Sequence, residues 1–538
     1  LLESSFRVYI YRMAEIVLTT INAKYIHTAF GLRYLFANLG DLKRNAEIVE
    51  FDLQYRPIDV AEALLERNPK IIGIGVYIWN ARLVNELVAI LKKVSPDTVI
   101  VLGGPEISYE WEEQMYFKYC DFVICGEADV EFGRLCRDVL NGNLPAQKVI
   151  RPQLPDLDKL SLPYEFYTDK DVTQRIIYVE SSRGCPFGCE FCLSSLDERV
   201  RYFPLEKFLA EVEGLIHRGA RQFKFVDRTF NLDTKRGQKI LEFCLSYAKQ
   251  GIFFHFELVP DRFPEQWKDI IKEFPPATIQ FEAGIQTFNP EVSARISRYQ
   301  NYEKLISNLR FLRDETGAHL HTDLIAGLPG EDMQSFAQGF DKLVRLRPQE
   351  IQVGILKRLR GAPIARHDRE WHMVYNPEPP YEILKTSTMS FRELQLIKKF
   401  ARYWDMIANS GNFVKTTELI LGFANNSSAF PEASPFKEFM RLTEWLFSKT
   451  HRTSAISREN LVALLFEYLT TEKKLSGEAV AECLIEDCRR VGFRELPKVL
   501  RPYLKEKILP VQVKDAHAPL KRQTKHANSE NRGEEYNT

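Results

Sequence analysis

Three of the chain's nine cysteines fall within eight residues, in the stretch Gly184-Cys185-Pro186-Phe187-Gly188-Cys189-Glu190-Phe191-Cys192. Gly184, Pro186 and Gly188 break any regular helix or strand there, so the sulfurs sit on a loop able to curl around one object. Thiolates favour zinc or iron–sulfur clusters. A structural zinc site closes with four ligands, and no fourth Cys or paired His follows nearby. Three ligands with one open position suit a 4Fe–4S cluster whose fourth iron binds something else. A zinc knuckle or a set of redox thiols is the plainer alternative.

The elements that must position these thiols lie on either side. An apolar run, Arg175–Glu180, reads as the strand before the loop, and Pro204–Gly219 as an amphipathic helix after it. Further strands are expected at Gln222–Val226, Gly251–Leu258, Thr278–Ile285, His319–Ala326 and Glu350–Leu356. Helical patterns separate them, at Lys235–Lys249, Glu265–Glu273, Tyr302–Thr316 and Met333–Arg345. A six-strand β/α succession puts its active site at the carboxyl ends of its strands. Asp227 follows the second strand, facing a ligand or capping the next helix. Glu257 lies on the third, as an acceptor for a ligand or half of a structural pair. On the fourth, period-two alternation turns Gln280, Glu282 and Gly284 to one face and Phe281, Ala283 and Ile285 to the other. Polar residues facing into a barrel need partners, and a ligand would supply them.

Cys-x3-Cys-x2-Cys with an aromatic, Phe191, before the last Cys resembles the signature of radical S-adenosylmethionine (SAM) enzymes. In that family the three thiolates hold a 4Fe–4S cluster, and the amino acid part of SAM chelates the open iron. The resemblance makes Cys185, Cys189 and Cys192 the cluster ligands and gives the SAM ammonium to Asp227. It places Glu257, Gln280 and Glu282 against ribose or methionine, in a partial, TIM-like β/α barrel. Gln280–Thr287 resembles the fourth-strand segment of the coproporphyrinogen-oxidase-like and cobalamin-dependent branches. Thr322–Glu331 resembles the fifth-strand motif Gly-x-Ile-x-Gly-x-x-Glu, with Asp323 in place of the first Gly. By that likeness Ile325 packs on adenine, and Gly327 lets the chain turn beside it.

Upstream, five short β-rich runs alternate with helical patterns: Ala14–Thr20, Ala46–Leu53, Lys70–Tyr77, Thr98–Gly104 and Asp121–Glu127. Five β-α units predict an α/β, doubly wound parallel sheet of the flavodoxin (Rossmann-like) type, with ligands beyond the carboxyl ends of its strands. No Gly-x-Gly-x-x-Gly follows the first strand, which counts against a dinucleotide. Placed before a radical SAM core, Gly103-Gly104-Pro105-Glu106 and Gly126-Glu127-Ala128-Asp129 resemble the cobalamin-binding domain of one large branch of that superfamily. The resemblance assigns cobalamin contacts to Thr20, Asn22, Val76, Tyr77, Gly103, Gly104, Pro105, Gly126 and Glu127. The Asp-x-His-x-x-Gly motif is missing, so His27 is not the lower cobalt ligand by that pattern. A scaffold domain that binds nothing is the alternative.

At 538 residues two or three domains are expected. Lys+Arg and Asp+Glu are both 73, so no basic excess argues for nucleic acid. No apolar run approaches the length of a bilayer span, and no membrane partner is expected. Clustered thiols without a disulfide framework fit a reducing cytoplasm. The expected organisation is a leader over 1–12, a cobalamin-type domain over 13–142 and a Pro-rich extended linker over 143–174. The radical SAM core then covers 175–370, a helical C-terminal domain 371–511, and a disordered polar tail 512–538. By resemblance the chain is a cobalamin-dependent radical SAM enzyme that methylates or rearranges an unactivated carbon of a small-molecule substrate. Its electrons are expected from a low-potential donor such as ferredoxin or flavodoxin. A methylthiotransferase-like enzyme, or a non-catalytic cobalamin or redox sensor, stands as the alternative.

Overall fold

In the computed structural model, which describes residues 13–423, 434–493, 495–504 and 522–530, the N-terminal apolar runs become five strands. They are β1 (Ile16–Asn22), β2 (Ala46–Asp52), β3 (Ile71–Gly75), β4 (Val99–Gly103) and β5 (Phe122–Ile124). A short β6 (Val149–Ile150), not expected from the sequence, completes a parallel sheet of order β2-β1-β3-β4-β5-β6. This is the flavodoxin-type order, with its switch point between β1 and β3. β1 and β3 are buried along their whole length, as strands covered on both faces must be. The cover is α1 (Phe30–Ala37), α2 (Pro57–Leu65), α3 (Ala81–Val94) and α4 (Glu131–Leu140).

The stretch read as an extended linker is instead folded in. It carries α5 (Asp169–Gln174), and Leu157, Leu160, Leu162, Tyr164, Tyr167 and Val172 are buried in the core of the following unit. Its prolines remove periodicity without preventing burial.

That unit begins with β7 (Ile177–Val179) and a small antiparallel pair, β8 (Ser182–Arg183) with β9 (Arg201–Tyr202), which closes the base of the cysteine loop. α6 (Leu205–His217), β10 (Gln222–Phe225), α7 (Thr234–Ala248), β11 (Phe253–Leu258), α8 (Lys268–Lys272) and β12 (Ile279–Gln286) follow. Then come α9 (Pro290–Arg295), α10 (Tyr302–Asp314), β13 (His319–Ala326), α11 (Met333–Arg345) and β14 (Glu350–Ile355). The strands form one parallel sheet, β14-β13-β12-β11-β10-β7, which stays open between β14 and β7. Phe254, Phe256, Phe281, Ala283, Ile285 and Leu320 lie on its buried apolar face. The intervening residues, polar for the most part, line the inside.

A hairpin of β15 (Val374–Tyr375) and β16 (Ile383–Lys385) leads to α12 (Phe391–Ile407), α13 (Val414–Leu421), α14 (Pro435–Thr450), α15 (Arg458–Thr471) and α16 (Gly477–Arg490). These helices share one hydrophobic core with the barrel. Among the described residues no helix is long and apolar enough to cross a membrane.

The expectation of a disordered tail is corrected over 522–530, which form α17 (Arg522–Glu530). It docks at the amino ends of the barrel strands. Arg522 pairs with Glu350 at 3.0 Å and Asp405 at 2.8 Å, Gln523 donates to Gln280 at 2.7 Å, and His526 lies against His319. The rest of the expected tail and the expected leader lie outside the described residues.

Candidate active site

The cysteine loop is held by its glycine and by two buried acids. Gly184 adopts φ +91°, and a Cβ there would run into the Arg199 carbonyl, so only glycine fits. The Cys185 amide donates to the Asp197 carbonyl at 2.9 Å. Asp227 is 1% exposed. It accepts from the Ser181 amide at 3.0 Å and from the Ser181 and Ser182 hydroxyls at 2.7 and 2.6 Å. Both its oxygens are thus engaged by Ser181 and Ser182 under the root of the loop, and its burial there departs from the expectation that it faces the SAM ammonium. Glu190, between the second and third cysteines, accepts from Ser297 at 2.6 Å, from His367 at 2.8 Å and from Arg366. Sequence reasoning missed Glu190, because its partners lie more than a hundred residues away.

The sulfurs have polar company. Cys185 Sγ is 3.5 Å from the Thr229 hydroxyl, and Cys189 Sγ is 3.4 Å from Arg298 Nη1. Burial pushes the Cys189 thiol up, while the Arg298 guanidinium opposes it. Arg298 also donates to the Gly284 carbonyl, tying the loop to β12. Nothing in the sequence singled it out.

Below the loop, strand register aligns the inward residues: Glu257 with Glu282, Glu282 with His321, Gly284 with Asp323, and Ile325 with Gly354. Glu257 is half-buried, with Arg228 3.9 Å away, and desolvation pushes its carboxyl up to about 7. Glu282 meets His255 at 2.8 Å and Lys224 at 3.3 Å. Burial would raise it, but His255 and Lys224 outweigh that and hold it below the usual range. His321 lies 3.3 Å from Asp323; burial opposes its charge, yet Asp323 and Glu350 push it up to about 9. Gln280 lies lower, at the floor, where its amide is taken by Gln523. That placement corrects its assignment to ribose or methionine. Gly327 has φ +87°, and a Cβ there would stand 2.6 Å from Ile383, so glycine lets the chain turn from β13 toward α11 close against β16.

Phe191 and Ile325 line one cavity of about 550 Å³, continuing past Gly354, Leu356 and Lys398 toward α12. A second, of about 250 Å³, lies in the N-terminal domain among Tyr77, Gly103, Gly104, Gly126, Glu127 and Arg183. Of the expected cobalamin contacts, Thr20, Asn22, Val76 and Pro105 do not line it. Thr20 donates to the Gly75 carbonyl and Asn22 to Glu50, while Val76 is fully buried under Gly104. Pro105 points to solvent. None of the residues lining this cavity is histidine, and His27 is 2.7 Å from the Tyr178 hydroxyl.

Charged joints hold the N-terminal domain against the barrel. Arg183, two residues before Cys185, lies between the rings of Tyr34 and Phe203. It pairs with Glu127 at 2.7 Å and with Asp129 and Glu180 at 2.9 Å. Arg33 and Arg175 bridge Glu50 and Asp171 at 2.7–3.2 Å, all four side chains at most 10% exposed. Arg360 and Tyr381 reach Glu106 at 3.2 and 2.6 Å.

Family comparison matches residues 179–343 to the Radical SAM superfamily and 16–135 to the B12 binding domain. The chain joins a B12-binding domain to a Radical SAM domain. Residues 369–530 match a protein family of unknown function (DUF4080), which takes in α17. The chain is 26% identical over 329 residues to an uncharacterized methyltransferase of Pyrococcus horikoshii, across 56% of this chain and 70% of that one. It is 24% identical over 345 residues to the cobalamin-dependent radical SAM methyltransferase TokK of Streptomyces tokunonensis, spanning 57% of this chain and about half of TokK (49%). The solved structure of TsrM from Kitasatospora setae, with cobalamin and [4Fe-4S] cluster bound, shares the fold: TM-score 0.56, 15% identity, 80% of this chain and 99% of that one.

The side chains present suit the cluster, SAM and cobalamin that these domains take. Cys185, Cys189 and Cys192 are free thiols, and they are not among the groups gathered within 4.8 Å as ligands of a single ion would be. Three thiolates spread wider suit a cluster. The cavity at Phe191 and Ile325 offers apolar walls to a flat base. The Gly-walled cavity, at about 250 Å³, would hold only part of a corrinoid. Beside it Tyr77 and Trp79 stack in parallel, centroids 4.5 Å apart, with Trp79 44% exposed. That surface suits a planar macrocycle.

Proposed function

We propose that this enzyme methylates an unactivated carbon of a small-molecule substrate. The observation that carries the reading is Arg183. One guanidinium lines the Gly-walled cavity and, two residues before Cys185, also roots the cysteine loop, which ties the cobalamin-type pocket to the cluster loop. The names of the methyltransferase relatives favour methylation over rearrangement. When bound, the cluster with SAM supplies a carbon-centred radical, and cobalamin supplies the methyl group.

The chain's own residues divide the remaining work. Cys185, Cys189 and Cys192 hold the cluster, while Phe191 and Ile325 flank the adenine. Glu257, Glu282 and Asp323 present aligned inward acids near the loop, for ribose, ammonium or substrate. Tyr77, Gly103, Gly104, Gly126 and Glu127 receive cobalamin. The β15–β16 hairpin and α12 wall the cavity from water, which protects a radical. Electrons come from a low-potential donor such as ferredoxin or flavodoxin, in a cytoplasm that keeps the thiols reduced.

Methylthio transfer finds no support in the N-terminal domain. Cys120 and Cys125 pack in one face of its sheet and Cys136 in the other, so they cannot share a second cluster.

Anaerobic reconstitution followed by iron, sulfide and corrin analysis tests the reading. Four irons, one corrin, and 5′-deoxyadenosine on reduction with dithionite are expected, with Cys185→Ala bleaching the protein. Iron without corrin would remove the methyltransferase proposal. A brown, active C185A would remove the radical SAM site assignment.

A further inference from the structure

The wall of the cavity at Phe191 and Ile325 is finished by a residue from the far end of the chain. Arg522, the first residue of α17, lines that cavity together with His321 and Asn409. We propose that Arg522 is a positioning residue of the active site, which fixes Glu350 behind His321 and closes the slot between β14 and α12.

β14 is the last strand of the open sheet, and α12 runs beside it. Arg522 bridges the two. One of its terminal nitrogens reaches Glu350 Oε2 on β14 at 3.0 Å and Asp405 on α12 at 2.8 Å, and the other reaches Asp405 at 3.0 Å. A planar guanidinium holds two carboxylates in a fixed geometry, which a point charge on a flexible stem does not.

From Glu350 a relay leads inward. Its Oε1 meets His319 at 2.8 Å, and its Oε2, the oxygen that Arg522 holds, faces His321 Nδ1 at 3.7 Å. His321 Nε2 stands 3.3 Å from Asp323, and register sets His321 across from Glu282. Burial would raise the Glu350 carboxyl, but His319, His321 and Arg522 hold it down at about 2, so it keeps its charge. Without Arg522, Oε2 keeps only the long contact to His321 and the carboxylate is free to turn. His321 then loses the support that aims it at Asp323.

The socket for the tail is built. Gly411 has φ +65°, and a Cβ there would stand 2.9 Å from the Cβ of Lys525 and 3.1 Å from the His526 ring. Arg490, with its side chain 5% exposed, donates to the Lys525 carbonyl at 2.6 Å and to the Gly411 carbonyl at 2.7 Å. His526 is buried, its Nε2 3.2 Å from the Asn409 carbonyl. A glycine cradle and a buried guanidinium committed to the tail hold α17 in one register, as a residue aimed into a cavity requires. That Asp323, Glu282 and Ile325 face SAM rests on the proposed function; the fixing of Glu350 does not.

The test uses the full-length chain, reconstituted with iron and sulfide and left unreduced, with SAM titrated calorimetrically without oxygen. Arg522→Met should weaken SAM about five- to tenfold, as loss of one member of a shared hydrogen-bond network does, with iron content and far-ultraviolet circular dichroism unchanged. Glu350→Gln should do the same, and the double variant should bind no more weakly than E350Q alone, because both act through one oxygen. Lys525→Ala loses a 2.9 Å contact to Asn412 on the same helix but leaves the relay intact, and should stay within about twofold of wild type. Equal affinity in R522M and wild type, losses that multiply in the double variant, or K525A as weak as R522M overturns the inference. Because 5′-deoxyadenosine is read on the same wild-type sample after dithionite, SAM cleavage with equal affinities sinks the inference and leaves the proposed function standing.

Discussion

Replacing Arg183 by Met removes a charge while keeping an aliphatic chain between Tyr34 and Phe203. Glu127 retains Arg201, but Asp129 and Glu180 have no other cationic partner among the described residues. Deleting one partner of a buried ion pair costs about 3–5 kcal/mol, because the remaining charge stays buried. At about 1.4 kcal/mol per factor of ten, the closed joint loses roughly a hundred- to four-thousandfold in population. The loss is local, since each domain keeps its own core. Hydroxocobalamin affinity should fall, and amide exchange should rise in β5, β8 and the cysteine loop. The defect also has a pH signature. Burial pushes the Glu180 carboxyl up, and Arg183 holds it back. Without Arg183 it rises further, so the penalty for charged Glu180 is largest at high pH and fades as pH falls through that raised value. Affinity of R183M should therefore recover in part as pH is lowered. Unchanged affinity and exchange, or a defect that deepens toward low pH, would refute the reasoning.

Burial alone would raise Asp171, but Arg33 and Arg175 hold it down at about 2, against an ordinary 3.8. It thus contributes about 2 kcal/mol at neutral pH, fully present above pH 4 and lost as pH falls toward 2; Asp171→Asn should remove the acid-side transition in a thermal scan read against pH. Gly184→Ala meets both a positive φ and the Arg199 carbonyl, so reconstituted iron should drop below half of wild type while far-ultraviolet circular dichroism is unchanged. Ending the chain before Arg522 exposes Glu350 and Asp405 and should speed amide exchange at the amino ends of β12–β14, leaving the N-terminal sheet unaffected.

The sequence made some features plain because local chemistry decides them. Glycine and proline spacing makes the cysteine stretch a loop whatever surrounds it, and α3 starts and stops where its apolar period does. The alternation of Gln280, Glu282 and Gly284 against Phe281 and Ala283 is likewise a two-residue rule. What escaped was long-range. Leu157, Leu160 and Leu162 are buried without helical or strand period, so a Pro-rich stretch looked like a tether. α17 has no apolar stripe, and it docks through Arg522 and Gln523 on acids and amides over a hundred residues away. Asp227 could not be told from a ligand-facing acid until Ser181 and Ser182 were seen to use both its oxygens. Glu190 acts through partners more than a hundred residues away, Arg183 through Glu127 and Asp129 more than fifty away, and Arg298 through Cys189 at 109.

The bracing of Glu190 has a bearing on how the enzyme is made. Its partners Ser297, Arg366 and His367 follow it by 107 to 177 positions. A ribosome must deliver nearly the whole barrel before the middle of the cysteine loop is pinned. The loop between Cys189 and Cys192 therefore takes its final shape only after the chain has been made past His367.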